Sequence, residues 1–309
     1  MSDVAIIGAG KIAFSLTRAL LEISENIICV VSRTRKSAGL LADKFGIGFY
    51  TDNYSEIPTE TRLFFLAVPD GEITPTALKL SECNLDFKNS LFIHLSGSQT
   101  VLQLDALRHK GAAVASLHIM QTFPSRDAAE IRGAYAAIES IDAQTQDSLT
   151  TLAKKMGMQP FYIESADKIF YHIAGVFASN FLIANLYNSQ QSFNMSKAEG
   201  VDFINMIKPI VRSSLENAGK EGIIRALSGP VDRVDIETIE NHLRALKTKS
   251  IIPDEGKNGV NVLFLNYISQ SLILLEISKI KNQIPREKYD KIRQLLLGEL
   301  KESISAGTI

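Results

Sequence analysis

Lys168, His172 and Ser179 recur at helical spacing in the run "KIFYHIAGVFASN". Positions 168, 172, 175/176 and 179 fall on one face of an α-helix. That face carries an ammonium, an imidazole, a small residue and a hydroxyl, with Asn180 at its edge. The rest of the run is apolar (Ile169, Phe170, Ile173, Phe177, Phe181), so a polar row is costly unless it meets a partner or a cavity. In a cavity, His172 or Lys168 is the candidate proton donor. The competing reading extends Lys168 to solvent and spends His172 on a backbone carbonyl.

Further polar groups close apolar runs. "FIHLSGS" sets His94, Ser96 and Gly97 at the end of one run, and "SLHIMQTFP" sets His118, Gln121 and Thr122 at the end of another. A histidine in an apolar strand is either a hydrogen-bonded core residue or a catalyst. For His94 the two readings stay open; the polar loop after His118 favours function. In "SGPVDRVD" the Ser228-Gly229-Pro230 turn leads to Asp235, a candidate cap for the following helix. Arg233 then stands at a helix entrance, able to clamp a carboxylate or to pair with Asp235. Ser96, Asn180 and Arg233 are the candidates for orienting a substrate.

The segment "VAIIGAGKIAFSL" points to what else such a site would hold. An apolar run ends in Gly8-Ala9-Gly10-Lys11-Ile12-Ala13 and passes into an amphipathic helix. The first glycine permits a tight turn, the second lets backbone approach a diphosphate, and the small third residue lets helix and strand pack. The amides of Lys11 and Ile12 and the positive helix end favour an anion. About 20 residues on, a site for NAD carries an acid on the ribose. Here the second apolar run ends in Ser32-Arg33-Thr34-Arg35-Lys36. A hydroxyl followed by cations suits a 2′-phosphate, with Ser32, Arg33 and Arg35 as its holders, and the expected cofactor is NADP. The alternative is a solvated basic helix start. Val68 and Pro69, closing "RLFFLAVPD", are expected to floor the cofactor near its ribose, while Asp70 could be only a helix cap.

The elements that must position these groups follow from the same periodicities. "VAIIG", "IICVVS", "RLFFLAV", "SLFIHLS", "AVASLHI", "AYAAIES" and "QPFYIES" are short, near-continuous apolar runs separated by amphipathic stretches. The pattern predicts an α/β fold, with a mostly parallel, doubly wound sheet covered on both faces over residues 1–164. Residues 165–309 read as an all-α domain. "KIFYHIAGVFASNFLIANLYNSQQSF" is expected to be one helix, Ser196 with Glu199 a capping box for the next, and Pro209 a kink or break. "IIPDEGKNG" is expected to be a loop, and two helices close the chain.

The 309 residues suffice for two domains, and a net charge of −1 does not point to nucleic acid or an anionic membrane. Cys29 and Cys83 lack the spacing of a metal or disulfide framework, so no metal site is expected. The polar-interrupted run "VNVLFLNYISQSLILLEI" reads as a buried helix, not a membrane span. No secretory signal precedes the first strand, and a reduced, cytoplasmic protein is expected. The long apolar helical faces, including Val262 to Ile277, predict a homodimer formed through residues 165–309.

Taken together, "GAGKIA", "HLSGS", "LHIMQTFP", "YHIAGVFASN" and "SGPVDRVDIETIENHL" resemble a family of Rossmann-type NADP oxidoreductases with an uncharacterised helical C-terminal half. That family is similar in layout to pyrroline-5-carboxylate reductase and the 6-phosphogluconate dehydrogenase group. The resemblance implies an active site between the domains and dimerisation through the helical half. Two positions depart from it: Ile119 stands where proline is expected, and Val234 where glycine is expected. Valine takes positive φ only at a cost, which bears on any close backbone approach there. The expected activity is NADPH-dependent reduction of a small carbonyl or imine, carboxylate-bearing or not. The rivals are a non-catalytic NADP-binding or assembly protein and an S-adenosylmethionine-dependent methyltransferase, the latter weakened by the missing acid.

Overall fold

The computed structural model describes residues 2–248, 261–282 and 284–305. The chain divides into two compact units, Met1–Leu182 and Ile183–Ile309. The first holds one eight-stranded sheet: β1 (Asp3–Ile7), β2 (Asn26–Val31), β3 (Tyr50–Thr51), β4 (Leu63–Leu66), β5 (Leu91–His94), β6 (Ala113–Ile119), β7 (Tyr135–Ser140) and β8 (Gln159–Tyr162). Its order is 3-2-1-4-5-6-7-8. β1 to β6 are parallel, β7 runs antiparallel to β6, and β8 is parallel to β7. The order reverses between β1 and β4, which is where a crevice opens beyond the strand ends of such sheets. Seven strands coincide with the seven apolar runs. β3 escapes sequence reading because two residues carry no period.

Alternation along the strands supplies two cores. Val4, Ile6, Phe65 and Ile93 face one side, under α1 (Lys11–Glu22), α2 (Arg35–Phe45) and, farther along the sheet, α5 (Ala143–Lys155). Ala5, Ile7, Phe64 and Phe92 face the other, under α3 (Ile73–Ser81) and α4 (Asp105–Arg108). Both faces are covered, as the near-continuous apolar strands require.

The last helix of this unit is α6 (Lys168–Ala178). The expected single helix breaks at Ser179, whose φ of −120° and ψ of −69° leave the helical region, and α7 (Asn180–Met195) follows. The second unit holds α8 (Phe203–Glu221), α9 (Ile236–Lys247), α10 (Val262–Asn282) and α11 (Arg286–Ser305), and the last three supply a core of Ile239, Leu243, Phe264, Ile268, Leu275, Ile292 and Leu296.

Three local expectations change. Ser196 does not cap α8: its hydroxyl donates to the Phe193 carbonyl, and Asp202, directly before the helix, accepts the Asn205 amide at 3.1 Å. Pro209 neither ends nor splits α8, which runs on to Glu221. Val234 does adopt φ of +58°, so valine keeps the left-handed turn that glycine would give freely, at about 1–2 kcal/mol. Asp235 caps α9 as expected, accepting the Thr238 amide at 3.1 Å. The loop expected at "IIPDEGKNG" lies outside the described residues.

Two segments, Ser165–Met195 and Val262–Lys281, are long and apolar enough by composition to cross a membrane. In the second, Leu263, Phe264, Ile268 and Leu275 are buried, so α10 supplies core to its unit. The uncovered apolar side chains are instead concentrated from α6 to α8: Phe170 is 70%, Ile183 64%, Ile210 67% and Leu215 75% exposed.

Candidate functional site

Two cavities of the first unit lie beyond the carboxyl ends of its parallel strands. The first, of about 380 Å³, is lined by Gly8 and Gly10 after β1, by Ser32, Arg33 and Thr34 after β2, by Asp52 after β3, and by Ala67, Val68 and Pro69 after β4. The glycines behave differently. Gly8 has φ of +105°, and a Cβ there would stand 2.3 Å from the Ala67 carbonyl oxygen, so the fold itself demands glycine. A Cβ on Gly10 would meet only that oxygen at 3.7 Å, an ordinary contact. The protein has no packing need for glycine at 10; the space it leaves opens on the N-terminus of α1, where no side chain caps the first turn. That vacant first turn is what a diphosphate requires.

Of the expected cofactor residues, Gly8, Gly10, Ser32, Arg33, Val68 and Pro69 line this cleft. Lys11 and Ile12 are not in its lining; as the first residues of α1 they offer backbone amides only. Arg35 is drawn away: its guanidinium lies over the Tyr50 ring at 5.4 Å, and its amide donates to Asp52 at 3.2 Å. Sequence reasoning missed Tyr54, Lys79 and Arg126, which also line the cleft. Lys79 stands over the Tyr54 ring at 5.9 Å, adding a cation near an aromatic face. They come from three separate loops and helices, and no spacing rule links them.

The second cavity, of about 510 Å³, is lined by His118, Met120, Gln121, Thr122, Phe123 and Pro124 at the end of β6, and by His172, Gly175, Val176, Ala178, Ser179 and Asn180 from α6 and the start of α7. The helical face read from the sequence is therefore largely present, and the break at Ser179 shapes its far end. The rings of His118 and His172 lie 6.2 Å apart, edge to face.

Lys168 is the exception on that face. Its side chain is buried, and Nζ donates to the Ser116 hydroxyl at 2.6 Å and to the Glu139 carboxylate at 2.9 Å. Glu139 also accepts from the Val101 amide and from the Ser116 and Ser165 hydroxyls. Burial pushes the carboxyl up, but the Ser165 and Lys168 hydrogen bonds and the ammonium charge outweigh it and hold Glu139 below the usual carboxylate range. Burial also pulls the Lys168 ammonium below its usual range, against the opposing Glu139 hydrogen bond and charge. Lys168 lines neither cavity, so in place of the expected proton donor the structure has it anchoring α6 on the sheet.

Ser96 is corrected likewise. Its hydroxyl accepts the Ser98 and Gln99 amides at 3.2 and 3.0 Å and lines neither cavity; it shapes the loop after β5. His172 and the two glycines of the first turn line two separate cavities. His94 is a satisfied core residue. Its Nε2 donates to the Thr100 carbonyl at 3.1 Å, its Nδ1 accepts the Ser96 amide at 3.2 Å, and burial pushes its pKa down to about 4. Arg233 belongs to the second unit, exposed at the entrance to α9. No cluster of metal-ligating groups occurs among the described residues.

Tyr171 was missed. It reads as one more large residue of an apolar helix, yet its hydroxyl lies 2.8 Å from His118 Nδ1. A signal exists in retrospect: Ser116 and His118 share one face of β6 at strand spacing, and Lys168 and Tyr171 share one face of α6 at i, i+3.

Residues 3–94 match the family described as NADP oxidoreductase, coenzyme F420-dependent, and residues 134–255 match a domain of unknown function, DUF2520. No curated protein matches the chain. Among solved structures, the chain is similar to BF3122 of Bacteroides fragilis, described as a candidate NADP oxidoreductase, at 21% identity and a TM-score of 0.73, over 88% of this chain and 97% of that one. It is similar to a reductive aminase from Aspergillus terreus in complex with NADPH and ethyl-5-oxohexanoate, at 14% identity and 0.59, over 98% and 94%. It is similar to a pyrroline-5-carboxylate reductase from Coxiella burnetii, at 15% identity and 0.55, over 88% and 98%. At these identities the likeness establishes the fold: an N-terminal Rossmann-type sheet domain followed by a helical region.

Proposed function

We propose that the chain, which begins with an NADP oxidoreductase-type domain, reduces a small carbonyl or imine with NADPH. The observation that carries the reading is the pair of cavities along one carboxyl edge of the sheet: a diphosphate cradle with a basic end, and a histidine-lined cavity of small-molecule size. NADPH, when bound, supplies a hydride. The chain's residues hold and orient. Gly10 and the amides of Lys11 and Ile12 meet the diphosphate, Ser32 and Arg33 the 2′-phosphate, and Val68 with Pro69 floors the cleft. His172 holds the proton for the reduced group, and Asn180 and Ser179 orient the substrate. In this reading residues 1–164 are the dinucleotide-binding domain, and 165–309 serve substrate binding and dimerisation.

The test is NADPH oxidation followed optically with a panel of small ketones, aldehydes and cyclic imines. His172→Ala is expected to lower kcat roughly a hundredfold, the usual worth of a positioned acid or base, with NADPH affinity unchanged. Unaltered turnover in that variant would remove His172 from the chemistry.

The exposed apolar side chains from Phe170 to Leu215 support a homodimer, since patches of this kind mark interfaces and two-fold dimers are the commonest oligomer. Sedimentation at micromolar concentration should return twice the chain mass of 34.0 kDa. A monomer there contradicts the assignment.

A further inference from the structure

His118 is held on three sides. Its Nδ1 meets the Tyr171 hydroxyl at 2.8 Å, with the two rings edge to face at 5.4 Å. The ring of His172 stands at 6.2 Å. On the third side lies Gly97, where a Cβ would come within 2.8 Å of the Nε2 and Cδ2 atoms, so only glycine leaves room for this ring. The orientation of the imidazole is thereby fixed by packing.

Its tautomer is fixed by acid–base chemistry. A phenol is a far stronger acid than a neutral imidazole N–H, and an imidazole nitrogen is a better acceptor than a phenol oxygen. The hydroxyl of Tyr171 therefore donates and Nδ1 accepts. Both groups are neutral at physiological pH. Burial pushes the tyrosine up to about 12, and burial with the neighbouring His172 and Lys168 charges pushes His118 down to about 4, against a smaller opposing effect of Asp70. A neutral ring that accepts at Nδ1 carries its hydrogen on Nε2. Among the described residues no hydrogen bond is made by that Nε2.

The remaining lining narrows the ligand. Met120, Phe123, Pro124 and Val176 are apolar, and no lysine, arginine, aspartate or glutamate is among the lining residues. Gln121, Thr122, Ser179 and Asn180 add neutral polar groups, so an ionised carboxylate placed there would find no lysine or arginine to replace its hydration, only the proton that His172 gives up in the reduction.

We infer that this cavity binds an uncharged carbonyl compound, its oxygen accepting a hydrogen bond from His118 Nε2–H and its apolar body lying against Met120, Phe123 and Val176. This deepens the reductase reading and rests on it for the fate of the carbonyl. In the reduction the carbonyl carbon takes the hydride, and the π electrons move to oxygen. The oxygen takes the proton held by His172, with NADP⁺ and the alcohol as products. The Nε2–H bond strengthens as charge gathers on oxygen, which makes His118 a catalytic residue. Tyr171 and Gly97 are positioning residues that act through it.

The experiment is ¹⁵N imidazole NMR on the NADP⁺-loaded full chain, which has five histidines, with His118 assigned by a His118→Gln variant. His118 should show its proton on Nε2, and Tyr171→Phe should abolish that preference. Cyclohexanone should shift the Nε2–H resonance. 4-Oxocyclohexanecarboxylate, the same ring bearing a carboxylate, should bind about tenfold or more weakly. Tyr171→Phe should weaken cyclohexanone binding about threefold to tenfold, and His118→Gln, which keeps an N–H donor, should retain most of it. A proton on Nδ1, or tighter binding of the carboxylate, overturns the inference. Two further outcomes separate it from the reductase reading. If cyclohexanone moves His118 but no carbonyl oxidises NADPH, the binding inference stands and the reductase reading fails. If NADPH is oxidised by ketones while His118 stays unmoved, the reverse holds.

Discussion

Lys168→Met is expected to lower the unfolding free energy of the first unit by about 3–5 kcal/mol, the cost of leaving a buried charge without its partner. Glu139 has only 4% of its surface exposed, so its carboxylate is poorly solvated once the ammonium is gone. It would take up a proton or admit water, and either lets the start of α6 move. Lys168→Met with Glu139→Gln should recover part of the loss, because no unpaired charge remains and the amide still accepts from Val101 or Ser116. Urea unfolding of the two variants measures this. A loss below about 1 kcal/mol for the single variant would mean that the pair does not hold α6. Because α6 carries both Tyr171 and His172, the structural anchor and the site share one helix.

Gly10→Leu is expected to leave the fold intact and to weaken NADPH binding at least about a hundredfold, roughly 2.7 kcal/mol. The backbone at Gly10 has φ of −77° and ψ of 178°, extended values open to any residue, and the new Cβ meets the protein only at 3.7 Å. The leucine instead fills the space in front of the α1 amides. Gly8→Ala behaves differently, because its clash with the Ala67 carbonyl falls on the fold itself. Circular dichroism with calorimetry separates the two cases. If Gly10→Leu binds NADPH like the parent chain, the diphosphate does not sit on this turn.

The contrast between Gly8 and Gly10 also marks what sequence can carry. A turn whose residues each obey a separate local constraint is readable, and so are strands buried on both faces, because their runs stay apolar. Contacts made across the sheet are not. Glu139 meets Lys168 because β7 runs antiparallel to β6 and sets Glu139 opposite Ser116, a register that no local pattern announces. Read without that register, Lys168 becomes a proton donor. Ser96 fails for a related reason: a hydroxyl at a strand end can serve a ligand or its own loop, and here two amides of the loop claim it. The Ser196 capping box matched its pattern, yet Asp202 stood nearer the apolar run that becomes α8 and took the role. Arg35 was read by its charge, and the Tyr50 ring that draws it aside belongs to the two-residue strand that periodicity could not reveal.

The central claim is that the first turn and the end of β2 hold NADP. Calorimetric titration of the unmodified chain with NADPH and with NADH tests it most directly. The predicted result is tighter binding of NADPH by about tenfold or more, from the charge-assisted hydrogen bonds that Arg33 and Ser32 offer a 2′-phosphate, with the difference erased by Arg33→Asp. Equal affinities for the two nucleotides in the unmodified chain would contradict it.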